Sequence, residues 1–577
     1  MKKKLLPALI VTGLIILVVI IMGITALINK YTPTKKTEDL KEYFNISSDD
    51  EAALIVDNEL SDYKAKIIDK KIYVDYKFVH DSLNSRFYWD ANENVLLYTT
   101  ASDIISAAAD SNSYSVTKQT NDFGYPIVKA TSDSALIALD YVKQYSNITF
   151  KSYDDPARIV ITSKWDEIDS ATVSKSTQVR VKGGIKSPIL KEVKKDDKIT
   201  LLDSGDKWDK VATEDGVIGY IKRKALSERK KTKLTNPDYE EETFTHIKKD
   251  KDICLAWNQV TSQSANSKVP QVISSTKGIN VMSPTWFYLN DNNGNLADIA
   301  SKDYVSYCHS QGIEVWGLFS NFENTDVDAA YVLTHTSTRT TLINQIMSAA
   351  FNYELDGVNI DFENITEAAY GDSYIEFIRE LAIKCHNNGI SLSVDVTVPA
   401  SFNKFFNRSD MANFADYIVI MGYDEHYKGS DAGSVSSIPW VTEGVESTLK
   451  EVPADQIILG MPFYTRIWEL TPKEDDDAVT DTEDQSKYTV ASQVYSMDAA
   501  AAQLATNNAT AALDEESGQN YAEWSVSNKL YKVWLEDTTS LEKRLKLVDD
   551  NKLAGAAFWK LGFENSSVWD TVIKYLN

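Results

Sequence analysis

Asp356-Gly357-Val358-Asn359-Ile360-Asp361-Phe362-Glu363 is the run on which the reading of this chain turns. In an extended strand the side chains alternate, so Asn359, Asp361 and Glu363 share one face and Val358, Ile360 and Phe362 share the other. The apolar set suits packing against covering helices. The polar set then points into the interior of a sheet that closes on itself. Carboxylates crowded together away from water are costly unless hydrogen-bonded or protonated, and their repulsion raises a pKa. A raised pKa is what a general acid needs near neutral pH.

Outward from this run, buried-looking strands alternate with helical stretches such as LINQIMSAAFNY (342–353) and YIEFIRELAIKCHNNG (374–389). Strand candidates fall at ICLAW (253–257), INVMSP (279–284), IEVWGLF (313–319), GVNIDFE (357–363), LSVDVTV (392–398), YIVIMGY (417–423), IILGMPF (457–463) and GAAFW (555–559). The pattern predicts an α/β fold, a (β/α)8 TIM barrel over residues 246–577. Glu363 then ends the fourth strand, on the face where barrel enzymes place catalytic groups. Residues 471–540 interrupt the pattern with an acidic start, KEDDDAVTDTED (473–484), and alternating aromatics in YAEWSVSNKLYKVWLED (521–537). The aromatics suggest hairpin strands that either wall a cleft or fill a core of their own, and the segment resembles the small α+β insertion carried by one family of such barrels.

The first half of the chain reads differently. Lys2, Lys3 and Lys4, in a short tail at 1–4, precede an uncharged apolar run at 5–29, LLPALIVTGLIILVVIIMGITALIN. About 20 apolar residues cross a bilayer as a helix, so this run predicts one transmembrane helix, kept as an anchor with the remainder extracellular. Residues 41–165 alternate in strand fashion, as in KIYVDYKFV (71–79), and predict an α+β module. Its YWDANENVLLYTT (88–100) resembles the copper amine oxidase N-terminal-like domain, a resemblance that implies no copper. Residues 170–228 predict a small β-barrel. Their order of VRVKGG, KITLL and WDKVATEDGVIGYIKRKAL resembles a bacterial SH3 domain, which implies either binding of the cell wall or a spacer. Residues 229–245 read as a linker.

Composition narrows the function. A formal net charge of −24 argues against a nucleic-acid partner, because polyphosphate binding rewards clustered Lys and Arg. Cys254, Cys308 and Cys385 are too few and too scattered for a disulfide framework or a metal knuckle and read as buried thiols. No metal site and no cofactor is expected.

The run 356–363 resembles the DGxDxDxE motif of family 18 glycoside hydrolases, the chitinase-like family. The resemblance covers most of 246–577 and implies that Glu363 is the catalytic acid and that Asp361 holds the substrate's acetamido group. Asn359 stands where the motif has its first inner Asp. It can hydrogen-bond Asp361 but cannot share a proton as a second carboxylate does. Met421, Tyr423 and Asp424 match the family's M-x-Y-D, and Trp559 matches the tryptophan that floors the sugar site. Arg466 and Trp468 in GMPFYTRIW and Asn321 in LFSNFEN are further candidates for substrate binding. The implied chemistry is substrate-assisted retaining hydrolysis, with Glu363, Asp361 and Tyr423 catalytic and no metal. SPTWFYL, VNIDFEN and MGYDEHY resemble the wall- and spore-associated N-acetylglucosaminidase branch, so the implied substrate is a polysaccharide, either peptidoglycan or a chitin-like glycan. A non-catalytic glycan-binding protein on the same fold is the competing expectation.

Overall fold

The computed structural model describes residues 5–227, 229–363, 365, 368–473 and 484–576. The 1–4 tail and residues 474–483, most of the acidic run, lie outside the described residues. Two compact units are present. One takes in the chain as far as Trp89, Ala107–Tyr114 and Asn121–Glu241; the other takes in Asp90–Ser106, Ser115–Thr120 and Glu242–Asn577.

The first unit begins with a helix, Leu5–Tyr31, whose apolar stretch Pro7–Tyr31 is unburied by any protein surface. Two seven-stranded sheets follow, one of which adds Glu167–Thr172 and Lys230–Lys233 to the strands of 170–228. That sheet therefore reaches into the stretch read as linker, where all four residues of KKTK pair with 167–170. Just beyond the apolar helix the chain runs along the same sheet, with the Thr34 N–H donating to Ile185 O at 2.8 Å and the Ile189 N–H to Lys36 O at 2.9 Å.

The second unit is built on eight parallel strands: β1 (Ile253–Asn258), β2 (Val281–Leu289), β3 (Glu314–Ser320), β4 (Gly357–Asp361), β5 (Ser391–Thr397), β6 (Tyr417–Met421), β7 (Ile457–Pro462) and β8 (Gly555–Trp559). Each pairs in parallel with the next, and β8 pairs with β1, so the sheet closes into the TIM barrel that the sequence predicts. Alternation does the sorting. Val358 and Ile360 of β4 join the layer between strands and helices, while Trp257, Trp316, Leu318, Tyr417, Val419 and Ile458 fill the interior. Gly357 opens β4 because a Cβ there would lie 2.5 Å from Trp316 Cδ1. The three cysteines are buried free thiols.

Two segments of this unit depart from the sequence boundaries. Asp90–Ser106, inside the range 41–165, belongs with the barrel. The Asp90 carboxylate accepts from Thr336 N at 2.7 Å, and Glu93 accepts from Ser337 N at 3.0 Å. These acids satisfy the first N–H groups of the helix Thr336–Tyr353, whose own N-cap His335 supplies no side-chain bond. The insertion begins before 471, since Tyr464–Pro472 pairs along its whole length with Tyr488–Ser496.

A buried ion pair ties the insertion to the barrel loops. Arg544 donates to both carboxylate oxygens of Glu536, at 2.7 and 2.9 Å, and to the carbonyl of Ser436 in the segment after β6. Removing one partner of such a pair strands a charge in a dry site and costs about 3–5 kcal/mol. Arg544→Met is expected to lower the thermal midpoint by roughly 2–4 °C for each kcal/mol lost, read by calorimetry. An unchanged midpoint would mean that the pair contributes nothing.

Candidate active site

At the C-terminal ends of the strands lies a cavity of about 270 Å³. Glu363, Asp361, Met421, Tyr423, Asp424 and Trp559 line it together, although they come from β4, β6, β8 and the segments that follow them. Six of the ten expected site residues are thus brought to one place.

Asp361 closes β4 and is buried, and its Oδ1 has no hydrogen-bond partner among the described residues. Burial first, and then the charges of Asp395, Glu363 and Glu323, hold its carboxyl well above the usual aspartate range. Glu363 stands two residues further out, at the solvent edge. Protein packed around its carboxyl, with Asp424 and Glu323 nearby, raises its pKa above the ordinary glutamate value. The Tyr423 phenol is pushed well above its usual pKa by burial and by these carboxylates, so it stays a neutral O–H. None of the described residues lining the cavity is Lys or Arg, and no cation offsets the charges around Asp361.

The other four candidates are not among the residues lining the cavity. Asn321, just past β3, clamps the Glu363 backbone: the Glu363 N–H donates to Asn321 Oδ1 at 2.9 Å, and Asn321 Nδ2 donates to Glu363 O at 2.8 Å. Arg466 lies 3.7 Å from Asp424 Oδ1, which also accepts from the Tyr464 hydroxyl. Trp468 is buried in the core of the insertion. Asn359 is fully buried beneath the floor and does not bond Asp361, which corrects the sequence expectation. Its Oδ1 accepts from Trp257 Nε1 at 2.9 Å and Ser283 Oγ at 3.0 Å, and its Nδ2 donates to Ser393 Oγ at 3.1 Å and Asp395 Oδ1 at 2.8 Å. Neighbouring strands outcompete a residue two places along its own strand.

The clamp makes Asn321→Ala informative. A misplacement of about 1 Å costs on the order of a hundredfold in rate, and Glu363 would lose both fixing bonds. A drop in kcat of about tenfold to a hundredfold with KM little changed is expected from steady-state kinetics; unchanged kcat would show the clamp to be dispensable.

Sequence reasoning missed Asp395, Glu323, Trp257 and Phe322, all of which line the cavity. Asp395 had a legible signal, because in LSVDVTV the residues Ser393, Asp395 and Thr397 alternate with Val394 and Val396 just as Asn359 and Asp361 alternate with Val358 and Ile360. Glu323 had none. It sits in a loop and is held by Ser320 Oγ, 2.6 Å from each of its carboxylate oxygens.

Residues 316–564, from β3 to just beyond β8, match the model of the glycosyl hydrolases family 18. The chain carries a family 18 glycosyl hydrolase domain. Among curated relatives of this domain, the uncharacterized glycosylase YvbX of Bacillus subtilis is 24% identical over 302 residues, 49% of this chain and 81% of its own length. The cortical fragment-lytic enzyme of the same organism is 24% identical over 287 residues, 48% of this chain and 63% of its own. The solved spore cortex-lytic enzyme SleL of Bacillus megaterium aligns with a TM-score of 0.49 at 19% identity, over 60% of this chain and 77% of that one. The family 18 match takes in Glu363, Asp361, Tyr423 and Trp559, while Trp257, Gln259 and Thr285 of the cavity lining precede the matched segment.

Proposed function

We propose that this domain hydrolyses β-linked glycans containing N-acetylglucosamine, with peptidoglycan as substrate, by a substrate-assisted retaining mechanism. The observation that carries the proposal is the partnerless, buried Oδ1 of Asp361 on the cavity wall beside Glu363. A buried acceptor without a partner costs about 1–3 kcal/mol, and an acetamido N–H of the substrate removes that cost. Glu363, kept protonated by its surroundings, donates its proton to the leaving glycosidic oxygen. The acetamido carbonyl oxygen attacks the anomeric carbon, and the positive charge that develops is balanced by Asp361. The neutral Tyr423 hydroxyl orients that carbonyl. Trp559, edge-on to Trp257 with centroids 6.0 Å apart, offers a flat apolar surface to the sugar ring. Glu363, now ionised, takes a proton from water, and the resulting hydroxide opens the intermediate.

Peptidoglycan is favoured because one of the curated relatives is, by name, a cortical fragment-lytic enzyme. The unburied apolar stretch Pro7–Tyr31, 25 residues long, supports a membrane anchor with the domain outside the cell. The sheet that engages the chain just past this helix supports the spacer reading of the SH3-like region at least as well as wall binding.

The test is product release by the full chain in detergent from purified peptidoglycan and from N-acetylglucosamine oligomers, read by mass spectrometry. Fragments with reducing-end N-acetylglucosamine from peptidoglycan are expected. Cleavage of the oligomers alone would move the substrate to chitin-like glycans, and saturable binding without product would replace the enzyme with a glycan-binding protein.

A further inference from the structure

Asn359 occupies the place of a carboxylate in the motif that it otherwise resembles, and an amide cannot share a proton with Asp361. The neighbouring strand supplies the missing acid. In the β4–β5 register, Asn359 lies beside Ser393 and Ile360 beside Val394, so the next pair along is Asp361 and Asp395. Both side chains line the same cavity, and both residues are buried. The orientation of Asp395 is fixed from below. Trp257 Nε1 can only donate, so the atom of Asn359 that it reaches must be Oδ1, and Nδ2 is then committed to Asp395 Oδ1 at 2.8 Å.

We propose that Asp395 is a positioning carboxylate: it shares one proton with Asp361 and carries that proton while substrate is bound, leaving Asp361 as the anion facing the acetamido N–H. The step is a transfer within the pair. The O–H bond on Asp361 breaks and one on Asp395 forms, and the pair keeps a single negative charge throughout. Asp395 then donates a hydrogen bond to the ionised Asp361, which stabilises the anion where it is needed. The described titratable groups around Asp395 include no cation to offset its charge. Asp361 and Glu363 come from β4 and its end, Glu323 from the loop after β3, Tyr423 and Asp424 from the end of β6, and Tyr374 from the helix Ala368–His386. All of these are acids or phenols. Burial, the largest cause, and the charge of Glu363 keep Asp395 well above the usual aspartate range, which agrees with a proton held in the pair. This inference rests on the hydrolase reading for its catalytic consequence, but not for the shared proton itself.

Two substitutions separate proton sharing from mere support. Asp395→Asn keeps an acceptor for Asn359 Nδ2 and places an N–H donor toward Asp361, which imitates the protonated acid. Asp395→Ala removes the donor and leaves Asp361 buried beside Glu363 and Glu323, so Asp361 becomes harder to ionise. On the full chain in detergent, Asp395→Ala is expected to lower kcat by about tenfold or more near neutral pH and to move the acid limb of the pH–rate profile upward by about one unit. The acid limb of Asp395→Asn is expected to stay at its wild-type position, and Asn359→Asp in the Asp395→Ala background is expected to bring the limb back. An unshifted limb in Asp395→Ala, or equal shifts in both single variants, would overturn the proposal. Thermal midpoints test the shared proton without any substrate. A carboxyl whose folded pKa is raised binds more protons folded than unfolded, so its favourable contribution is present at low pH and is lost as pH rises through the folded value. The midpoint of Asp395→Asn is therefore expected to equal the wild-type value near pH 4 and exceed it by a margin that grows toward pH 8. A margin independent of pH would overturn the shared proton. If the wild type cleaves no N-acetylated glycan, the hydrolase reading fails while the midpoints still decide the pair.

Discussion

Glu363→Gln is expected to lower kcat on peptidoglycan by about 10²–10⁴-fold, with KM and the thermal midpoint close to their wild-type values. The amide has the size of the acid and stands at the solvent edge, so packing barely changes. It has no proton to give to a leaving oxygen. The pH profile carries a second signature of the same role. Surrounding protein, Asp424 and Glu323 raise the Glu363 pKa, so the protonated acid persists to higher pH than an ordinary glutamate allows, and the rate falls as pH rises through that raised value. Removing one of the neighbouring charges, as in Glu323→Gln, stabilises ionised Glu363 and moves the basic limb downward. Wild-type turnover in Glu363→Gln would exclude the residue as the acid, and steady-state kinetics across pH would show it.

Asp361→Asn is the second large effect. A preorganised group facing charge that develops in the transition state is worth about 10²–10³-fold in kcat. Asn supplies a neutral carbonyl where an anion should face a cationic intermediate. The loss is expected mainly in kcat, because the amide oxygen can still accept from the acetamido N–H in the ground state. Stability is expected to move the other way. Asp361 is crowded by Asp395, Glu363 and Glu323 without a cation, so ionising it costs folding free energy, and a neutral side chain removes that cost above the ordinary aspartate range. Lost activity with a raised midpoint at pH 8 identifies a residue held under electrostatic strain for function. Lost activity with a lowered midpoint would instead identify a structural part.

Much of the barrel was legible because its strands are local statements. Residues 253–257 and Ile457–Pro462 are apolar throughout, as strands buried on both faces must be, and neither depends on a distant residue to be read. Asp361 and Glu363 were legible for the same reason, since period-two alternation puts them on the inner face of whatever sheet forms. The partner of Asn359 was not. A side chain with four hydrogen-bonding directions is satisfied by whichever groups the closed barrel brings near, and those came from β1, β2 and β5.

By itself, then, the sequence determined the α/β barrel, the inner-face acids and the apolar N-terminal helix, because periodicity and apolar length act within a few turns or strands of chain. Only the tertiary structure decided that Asn321 clamps Glu363, that Asp90 and Glu93 satisfy a helix some 240 positions away, and that Asp395 stands beside Asp361. Those pairings follow from closure of the sheet and from buried polar groups seeking partners, and neither leaves a periodic trace in the chain.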